Sequence, residues 1–219
     1  MTEDPKIPKK LHFVWLGRPM PEHMQRNVTA WKEMNPDWTT YLWTEKNIAI
    51  LRHTELYRRA KELVPPDAVY QFQSDIIRLE LLFDFGGFYA DTDTYPLRPL
   101  DEALAGREVF AAAEDRNWVG NTYLGAVPGH AVFRDLLSGL AGNVRRHPRK
   151  RPNHLSGPRY LTPIWRAHNA YVAPSRQWFP YSYTHVKNDA IPYDYDSDVF
   201  AVHEWNHTRE IMERRRVGA

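Results

Sequence analysis

The sequence predicts an α/β fold, in which helices flank a central and mostly parallel sheet. The first indication is an apolar run at residues 10–16, which ends at Gly17 and reads as a buried strand. Residues 21–34 follow with large apolar side chains at helical spacing, and residues 38–43 again read as a strand. A strand, a helix and a strand within about 35 residues form a βαβ unit, whose two strands run parallel.

The second indication is a helix that leads through two glycines into another short strand. After Pro65-Pro66 we expect a helix to begin near Ser74 and to end at Gly86-Gly87, because glycine readily adopts the left-handed conformation that ends a helix. An apolar strand then ends in Asp91 and Asp93. Beyond it we expect a proline-bounded loop at residues 94–100, strands at 109–113 and 123–127, and a helix at 130–144.

Composition limits both the architecture and the chemistry. With 219 residues, 42% of them hydrophobic, the chain can build one good-sized core, so we expect a single domain over residues 1–219. The absence of cysteine excludes a disulfide framework, thiolate zinc sites and cysteine nucleophiles. No signal-peptide pattern and no apolar run long enough to span a membrane are present. A cytoplasmic location is therefore expected, with peripheral membrane association left open.

Asp91 and Asp93 are the side chains that most strongly indicate chemistry. Side chains at positions i and i+2 of an extended chain project from the same face, roughly 6.5 Å apart along the strand. Hard cations such as Mg²⁺ and Mn²⁺ are held by one or two such carboxylates, with substrate phosphates as further ligands. Ligands of parallel sheets gather at the carboxyl ends of the strands, so Trp15 is expected on the same rim. Trp15 is interpreted either as a plane that stacks on a nucleotide base or as an ordinary core residue.

Asp75 and Arg78 lie one turn apart on the helix that precedes this strand. One interpretation is a solvated ion pair at spacing i, i+3, which stabilises a helix by a few tenths of a kcal/mol. The other interpretation follows from position: the helix runs directly into the strand before Asp91, so its polar side chains would border the same site.

Residues 145–151 form a dense run of positive charge, with five Lys or Arg residues among seven. Most such runs are solvated surface loops, and others bind a phosphate-bearing acceptor, an anionic membrane surface or nucleic acid. Single-stranded nucleic acid is disfavoured because the segment has no aromatic residue on which bases would stack.

In combination, these motifs resemble the DXD glycosyltransferases, a family that includes Och1-type mannosyltransferases and the catalytic domains of large clostridial glucosylating toxins. The similarity covers most of the chain and implies a GT-A-type, Rossmann-like fold. It further implies a nucleotide-sugar-binding part at about residues 7–100 and an acceptor part at about 101–219. The motifs that carry it are HxxWxG at residues 12–17, SDxxR at 74–78 and GGxYxDxD at 86–93, with weaker similarity at 128–130, 156–158 and 203–205.

The resemblance implies roles for individual residues. Trp15 matches a tryptophan that stacks on the nucleotide base, with Val14, Gly17 and Ser74 among the other donor contacts. Asp75 and Arg78 match the pair that binds the donor sugar and its phosphate, and Tyr89 matches a tyrosine near the phosphates. Asp91 matches a carboxylate near the ribose and the metal, and Asp93 matches the direct metal ligand.

Three further positions are less firmly matched. Asn121 is expected near the sugar or the acceptor, and His203 is expected as a third metal ligand, with Glu204 as the alternative. Gln71 stands where the toxins have an arginine, so their donor preference is not carried over to this chain.

The activity implied is metal-dependent, retaining transfer of a hexose from a UDP- or GDP-sugar to an acceptor hydroxyl. Asp75, Arg78 and Asp93 would be the catalytic residues, and Mn²⁺ or Mg²⁺ the cofactor. The acceptor is expected to be a glycan, a lipid-linked molecule or another anionic molecule, with nucleic acid disfavoured. Besides the metal ligands, no pair of carboxylates can be assigned to a double displacement. A front-face reaction is therefore expected, in which the leaving phosphate takes the acceptor proton.

Two other interpretations stay open. Residues 91–94 satisfy the DxDxT pattern of phosphatases with an aspartate nucleophile, although that motif normally ends the first strand of its fold. A non-catalytic module that binds nucleic acid or membrane through residues 145–151 would show steep salt dependence, and its binding would survive the loss of Asp91 and Asp93.

Overall fold

The computed structural model describes residues 6–48, 52–188 and 194–206. The chain opens with β1 (Lys10–Val14), α1 (Glu22–Met34) and β2 (Thr39–Trp43). β1 and β2 pair in parallel over their whole length, from Lys10 opposite Thr39 to Val14 opposite Trp43. The predicted βαβ unit is therefore confirmed.

The remaining elements alternate helices with short strands. The middle of the chain contains α2 (Thr54–Arg58), α3 (Ala60–Leu63), a 3-10 turn (Pro66–Ala68), α4 (Val69–Phe85), β3 (Gly87–Ala90), β4 (Thr94–Pro96), α5 (Leu100–Leu104), β5 (Val109–Ala113) and β6 (Val119–Ala126). After it come α6 (Ala131–Arg146), α7 (Pro152–Leu155), α8 (Pro158–Ala167), β7 (Val172–Ala173), α9 (Ser175–Trp178), α10 (Tyr183–Lys187) and β8 (Ala201–His203).

Six strands form the central sheet in the order β2-β1-β3-β6-β5-β7. β1 is parallel to both of its neighbours and β5 is parallel to β7, whereas β6 is antiparallel to β3 and β5. Five strands thus share one direction, and the prediction of a mostly parallel sheet is confirmed. A second, two-stranded sheet joins β4 to β8 in antiparallel pairing. The loop predicted at residues 94–100 was wrong for Thr94–Pro96, because a partner strand about one hundred residues later pairs with it.

α4 is longer than the sequence indicated. The prediction that it begins near Ser74 was wrong: α4 begins at Val69, directly after the 3-10 turn that starts at Pro66. Proline suits the first position of a helical turn, so the Pro65-Pro66 pair starts the helical path earlier than Ser74 would. The predicted end is confirmed, since Gly86 has φ +62° and a Cβ there would lie 2.7 Å from Pro128 Cδ.

Alternate residues of the sheet pack against different layers. Phe88 belongs to a cluster with Trp31 and Trp178, whereas Tyr89 belongs to a cluster on the opposite face with Phe72 of α4. Successive side chains of a strand point to opposite faces, which explains the division. The sheet is thus covered on both sides, and its strand ends are held firmly. Within the described segments, no helix combines the length and apolar character needed to cross a bilayer.

Candidate active site

Two carboxylates and one histidine meet beyond the end of β3. The strand ends at Ala90, so Asp91 and Asp93 lie in the following turn rather than on the strand as predicted. The hydroxyl of Thr94 donates to the carbonyl of Asp91 at 2.6 Å and closes this turn. β4 then pairs Thr94 with His203 of β8. As a result, one ligand atom from each of Asp91, Asp93 and His203 lies within 4.8 Å of the others.

The Asp93 carboxylate is held by His203 and by the backbone. Its Oδ1 lies 3.2 Å from His203 Nε2, and its Oδ2 accepts from the backbone N–H of Asn206 at 3.1 Å. Burial raises the pKa of Asp93, but the charge and hydrogen bond of His203 outweigh it, so this pKa is lowered. Burial likewise lowers the pKa of His203, and the charge of Asp93 outweighs it, so the pKa of His203 is raised. The pair favours opposite charges.

The donor set fits a divalent cation. Two carboxylates match the preference of hard cations such as Mg²⁺ and Mn²⁺ for oxygen, and the imidazole offers a nitrogen as a third ligand atom. His203 is 8% exposed, and among the described residues its Nδ1 is a buried nitrogen with no hydrogen-bond partner. One ring nitrogen is thus not committed to the fold.

Glu204, the alternative third ligand, is used differently. Its Oε2 accepts hydrogen bonds from the side-chain amides of Asn27 and Asn206, both at 3.0 Å. Its backbone N–H donates to the carbonyl of Asp93 at 2.8 Å. Glu204 therefore braces the turn that carries Asp93, while His203 lies beside the two carboxylates.

Asp75 and Arg78 form a buried pair, so the interpretation as a solvated surface pair was wrong. Their side chains are 1% and 5% exposed, and Arg78 Nη2 lies 3.1 Å from Asp75 Oδ1. Arg78 Nη1 also lies 3.1 Å from Asp91 Oδ1 and donates to the carbonyl of Asn121 at 2.5 Å. The guanidinium therefore links the SDxxR helix to the first aspartate of the metal group.

Tyr89 completes the contact between these motifs. Its hydroxyl donates to Asp91 Oδ1 at 2.8 Å. The guanidinium carbon of Arg78 lies over the Tyr89 ring, 4.4 Å from the ring centre. An arginine over an aromatic face is stabilised by the ring quadrupole, more strongly when water is excluded. Arg78, Tyr89 and Asp91 thus form one connected group.

Asp75 is a buried carboxylate that stays hydrogen-bonded. Its Oδ1 accepts from Asn121 Nδ2 at 2.9 Å, and its Oδ2 accepts from the hydroxyl of Ser156 at 2.7 Å. Burial raises the pKa of Asp75 to about 6, against the opposing effects of Arg78 and these two hydrogen bonds. Asn121 therefore lies beside the SDxxR pair, and its expected place near the sugar or the acceptor stays a prediction.

A cavity of about 870 Å³ brings the predicted residues together. This volume suits a ligand larger than a single sugar, since small-molecule sites span roughly 300–1,000 Å³. Trp15 is half-buried on the wall, which favours the stacking interpretation over the core one. All of the residues that the sequence placed at the site line this cavity, namely Val14, Trp15, Gly17, Ser74, Asp75, Arg78, Tyr89, Asp91, Asp93, Asn121 and His203.

The sequence did not single out several side chains of the same wall. Glu114 follows β5, lines the cavity and is half-buried, and burial raises its pKa above the ordinary value. Tyr70 packs against Gly17, whose φ is +92°, so that a Cβ there would overlap the tyrosine ring. The role of Ser156 had one sequence signal, the weak similarity at residues 156–158. Glu114 had none, because a carboxylate after a strand is common at a surface.

Comparison with known proteins shows that part of the chain matches a family model. Residues 21–110 match the model of a family described as "Glycosyltransferase sugar-binding region containing DXD motif". The matched stretch contains Asp75, Arg78, Tyr89, Asp91 and Asp93, and it excludes Trp15 and His203.

Two curated relatives show how far the similarity extends. "Inositol phosphoceramide mannosyltransferase 2" of Schizosaccharomyces pombe is 26% identical over 150 residues, covering 67% of this chain and 42% of the relative. "Subversion of eukaryotic traffic protein A" of Legionella pneumophila is 28% identical over 124 residues, covering 47% of this chain and 19% of the relative. The chain therefore spans less than half the length of these two relatives.

Solved structures share the fold at low sequence identity. The "PaToxG Glycosyltransferase" superposes with a TM-score of 0.63 at 18% identity, covering 76% of this chain and 71% of that one. The catalytic domain of alpha-toxin from Clostridium novyi gives 0.60 at 10% identity, covering 94% and 80%. The UDP-bound glycosyltransferase domain of the YGT toxin gives 0.54 at 12% identity, covering 95% and 89%. The expected GT-A fold is confirmed.

Proposed function

We propose that this chain is a glycosyltransferase of the family whose sugar-binding region contains the DXD motif, and that it transfers a hexose from a UDP- or GDP-sugar to an acceptor hydroxyl with the help of a divalent cation. The match of residues 21–110 to the model of that family supports the proposal. The observation that carries the proposal is the meeting of Asp91, Asp93 and His203 within 4.8 Å, on the wall of a cavity that also holds Asp75 and Arg78. A cation site and a fixed arginine on one wall suit a diphosphate donor.

Asp91, Asp93 and His203 would hold the cation, Mn²⁺ or Mg²⁺. A bound divalent ion neutralises the charge that develops on a leaving diphosphate. Arg78 supplies a second positive charge to the same group, since it is permanently protonated and fixed by Asp75 and Asp91. Trp15 offers its ring to the nucleotide base from the cavity wall.

We further propose that the reaction retains the anomeric configuration by a front-face route. A double displacement needs a free carboxylate nucleophile about 5 Å from an acid/base group. Asp75 is a poor nucleophile, because Arg78, Asn121 and Ser156 hold it and it is 1% exposed. In the front-face route the acceptor oxygen bonds to the anomeric carbon as the phosphate oxygen leaves, and the acceptor proton passes to that phosphate oxygen.

The names of similar proteins suggest candidates for both substrates. A UDP-bound neighbour makes UDP-sugars candidates for the donor without fixing the preference, and a mannosyltransferase among the relatives makes mannose a candidate for the transferred hexose. An inositol phosphoceramide mannosyltransferase among the relatives makes an anionic lipid a reasonable acceptor class. The phosphatase alternative is disfavoured, because Asp91 follows the third strand in chain order, whereas the DxDxT motif ends the first strand of that fold.

The test is nucleotide release from a panel of UDP- and GDP-sugars in the presence of Mn²⁺. Release from one donor is expected, and it should be lost in Asp93→Asn and after metal removal. Asp37→Asn is the matched control, because it makes the same chemical change at an exposed position outside the cavity. Full turnover by Asp93→Asn at saturating metal would overturn the assignment of Asp93.

A separate measurement identifies the stereochemistry. The anomeric configuration of the transferred sugar can be read by NMR from the one-bond C1–H1 coupling constant of the first product formed, which distinguishes the anomers whatever the configuration at C2. Retention is expected, and an inverted product would refute the front-face route while leaving the metal site intact.

A further inference from the structure

We propose that the basic segment, residues 145–151, docks the protein on an anionic bilayer surface with the cavity mouth facing the lipid headgroups. The segment holds five of the 29 Lys and Arg residues of the chain and none of its 27 Asp and Glu residues. The rest of the chain is therefore net acidic, with 24 basic residues against 27 acidic ones. The segment therefore carries a local excess of five positive charges.

The segment is exposed, and its backbone contains a residue in the left-handed conformation. Arg145 and Arg146 end α6, and every residue from there to Arg151 is exposed. Arg149 has φ +59°, a conformation that costs a side-chain-bearing residue energy and is normally given to glycine. An arginine is nevertheless found at this turn, pointing a further charge away from the fold.

Contacts tie the segment to the rim of the cavity. Arg151 forms an ion pair with Asp67 at 2.7 Å, and Asp67 lines the cavity. Asn153, two residues after the segment, and Arg159, eight residues after it, also line the cavity, and the Arg159 guanidinium lies 5.0 Å from the ring centre of Trp118. The positive charge therefore borders the opening rather than the back of the molecule.

Exposed tyrosines mark the same opening. Tyr70 is 54% exposed and Tyr183 is 43% exposed, and both line the cavity. Tyrosine has an apolar ring and a polar end, which suits the boundary between headgroups and acyl chains. A rim that combines basic and tyrosine side chains is complementary to an anionic lipid surface. The basic segment itself contains no Phe, Trp or Tyr on which the bases of a single strand would stack.

Docking in this orientation would present the cavity to a hydroxyl on a lipid headgroup, a consequence that rests on the proposed function. The docking itself does not. It can be measured without donor and without metal, so that its failure and the failure of the transferase proposal are distinguishable.

The test is sedimentation with phosphatidylcholine vesicles prepared with and without phosphatidylserine. The wild-type protein should bind only the phosphatidylserine vesicles, and binding should weaken as salt is raised. Each Lys or Arg at an anionic surface raises binding about fivefold, so the double variant Arg149→Gln/Lys150→Gln should bind about 30-fold less. Nucleotide release from a free donor should be unchanged in that variant.

The matched control is Lys32→Gln/Arg134→Gln, which removes the same charge at exposed positions elsewhere. Arg134 lies twelve residues before Arg146 on α6, about 18 Å along the helix axis and beyond the screening length. The control should bind like the wild type. Equal losses in both double variants, or equal binding to both kinds of vesicle, would overturn the proposal. Binding to duplex DNA without binding to vesicles would also overturn it and assign the segment to nucleic acid.

Discussion

Replacing Arg78 with lysine separates the geometry of the buried network from its charge. The guanidinium reaches Asp75 and Asp91 through different nitrogens, each at 3.1 Å, and donates to the carbonyl of Asn121 at 2.5 Å. Lysine keeps the positive charge but has one nitrogen on a flexible chain, so it cannot make these contacts together. Arg78→Lys therefore leaves part of a buried network without its donor.

The expected loss follows from the contacts. Hydrogen bonds to charged groups contribute about 1.5–3 kcal/mol each, and lysine should forfeit two of them while partial relaxation recovers some of the difference. We expect the free energy of unfolding to fall by about 3 kcal/mol. For a chain of this size that lowers Tm by about 6–12 °C. The measurement is urea and thermal unfolding without metal or donor, so that ligand binding does not contribute.

The control is Arg59→Lys, at an arginine that is half-exposed and paired with Glu55 and Glu62 on the helix surface. Its free energy of unfolding should stay close to that of the wild type, because exposed ion pairs contribute little to stability. An Arg78→Lys protein as stable as the wild type, or no less stable than the Arg59 variant, would refute the reasoning. A double-mutant cycle with Asp75→Asn should show a coupling of about 1–3 kcal/mol, since the two side chains are in contact.

Three further substitutions test other parts of the site. Gly17→Ala should lower stability by about 1–2 kcal/mol and weaken donor binding, because φ at Gly17 is +92° and the new Cβ overlaps Tyr70. Thermal unfolding measures the stability and a donor titration by calorimetry measures the affinity, and unchanged values of both would contradict the prediction. Ser156→Ala should lower the free energy of unfolding by about 1–3 kcal/mol, because the Ser156 hydroxyl donates to Asp75. The loss should be larger at pH 8 than at pH 5, because the hydroxyl stabilises the ionised form of Asp75, whose pKa is about 6. Unfolding at both pH values is the measurement, and a loss independent of pH would contradict the assigned contact. Glu114→Gln should make the metal-free protein more stable than the wild type at pH 8, because the raised pKa of Glu114 means that folding disfavours the ionised glutamate. The gain should vanish as pH falls below the ordinary value of 4.5, and urea unfolding at both pH values checks it; equal gains at both would refute it.

The fold was largely predictable because most of its signals are local. The apolar spacing of residues 21–34 and the run at residues 10–16 each predict an element that the structure confirms. The start of α4 was not predicted correctly, because the Pro65-Pro66 pair begins the helical path instead of interrupting it. β4 was missed because three residues that include a proline carry almost no pattern, and their pairing with β8 is a long-range contact. The single domain over residues 1–219 stays a prediction.

In the candidate site, too, some features follow from the sequence and others depend on tertiary contacts. The sequence by itself determined which residue types are present, the spacing of Asp91 and Asp93, and the family to which the motifs point. Only the tertiary structure decided that Asp75 and Arg78 are buried together, because charged residues at i, i+3 are exposed on most helices and their burial depends on what packs over them. It also placed His203 beside the two carboxylates, because pairing with Thr94 brings the end of β8 to them, whereas Glu204, the next residue, contacts Asn27. His203 as the third metal ligand stays a prediction. Local patterns fix conformation over a few residues, whereas a side chain's partners are set by contacts between segments about a hundred residues apart.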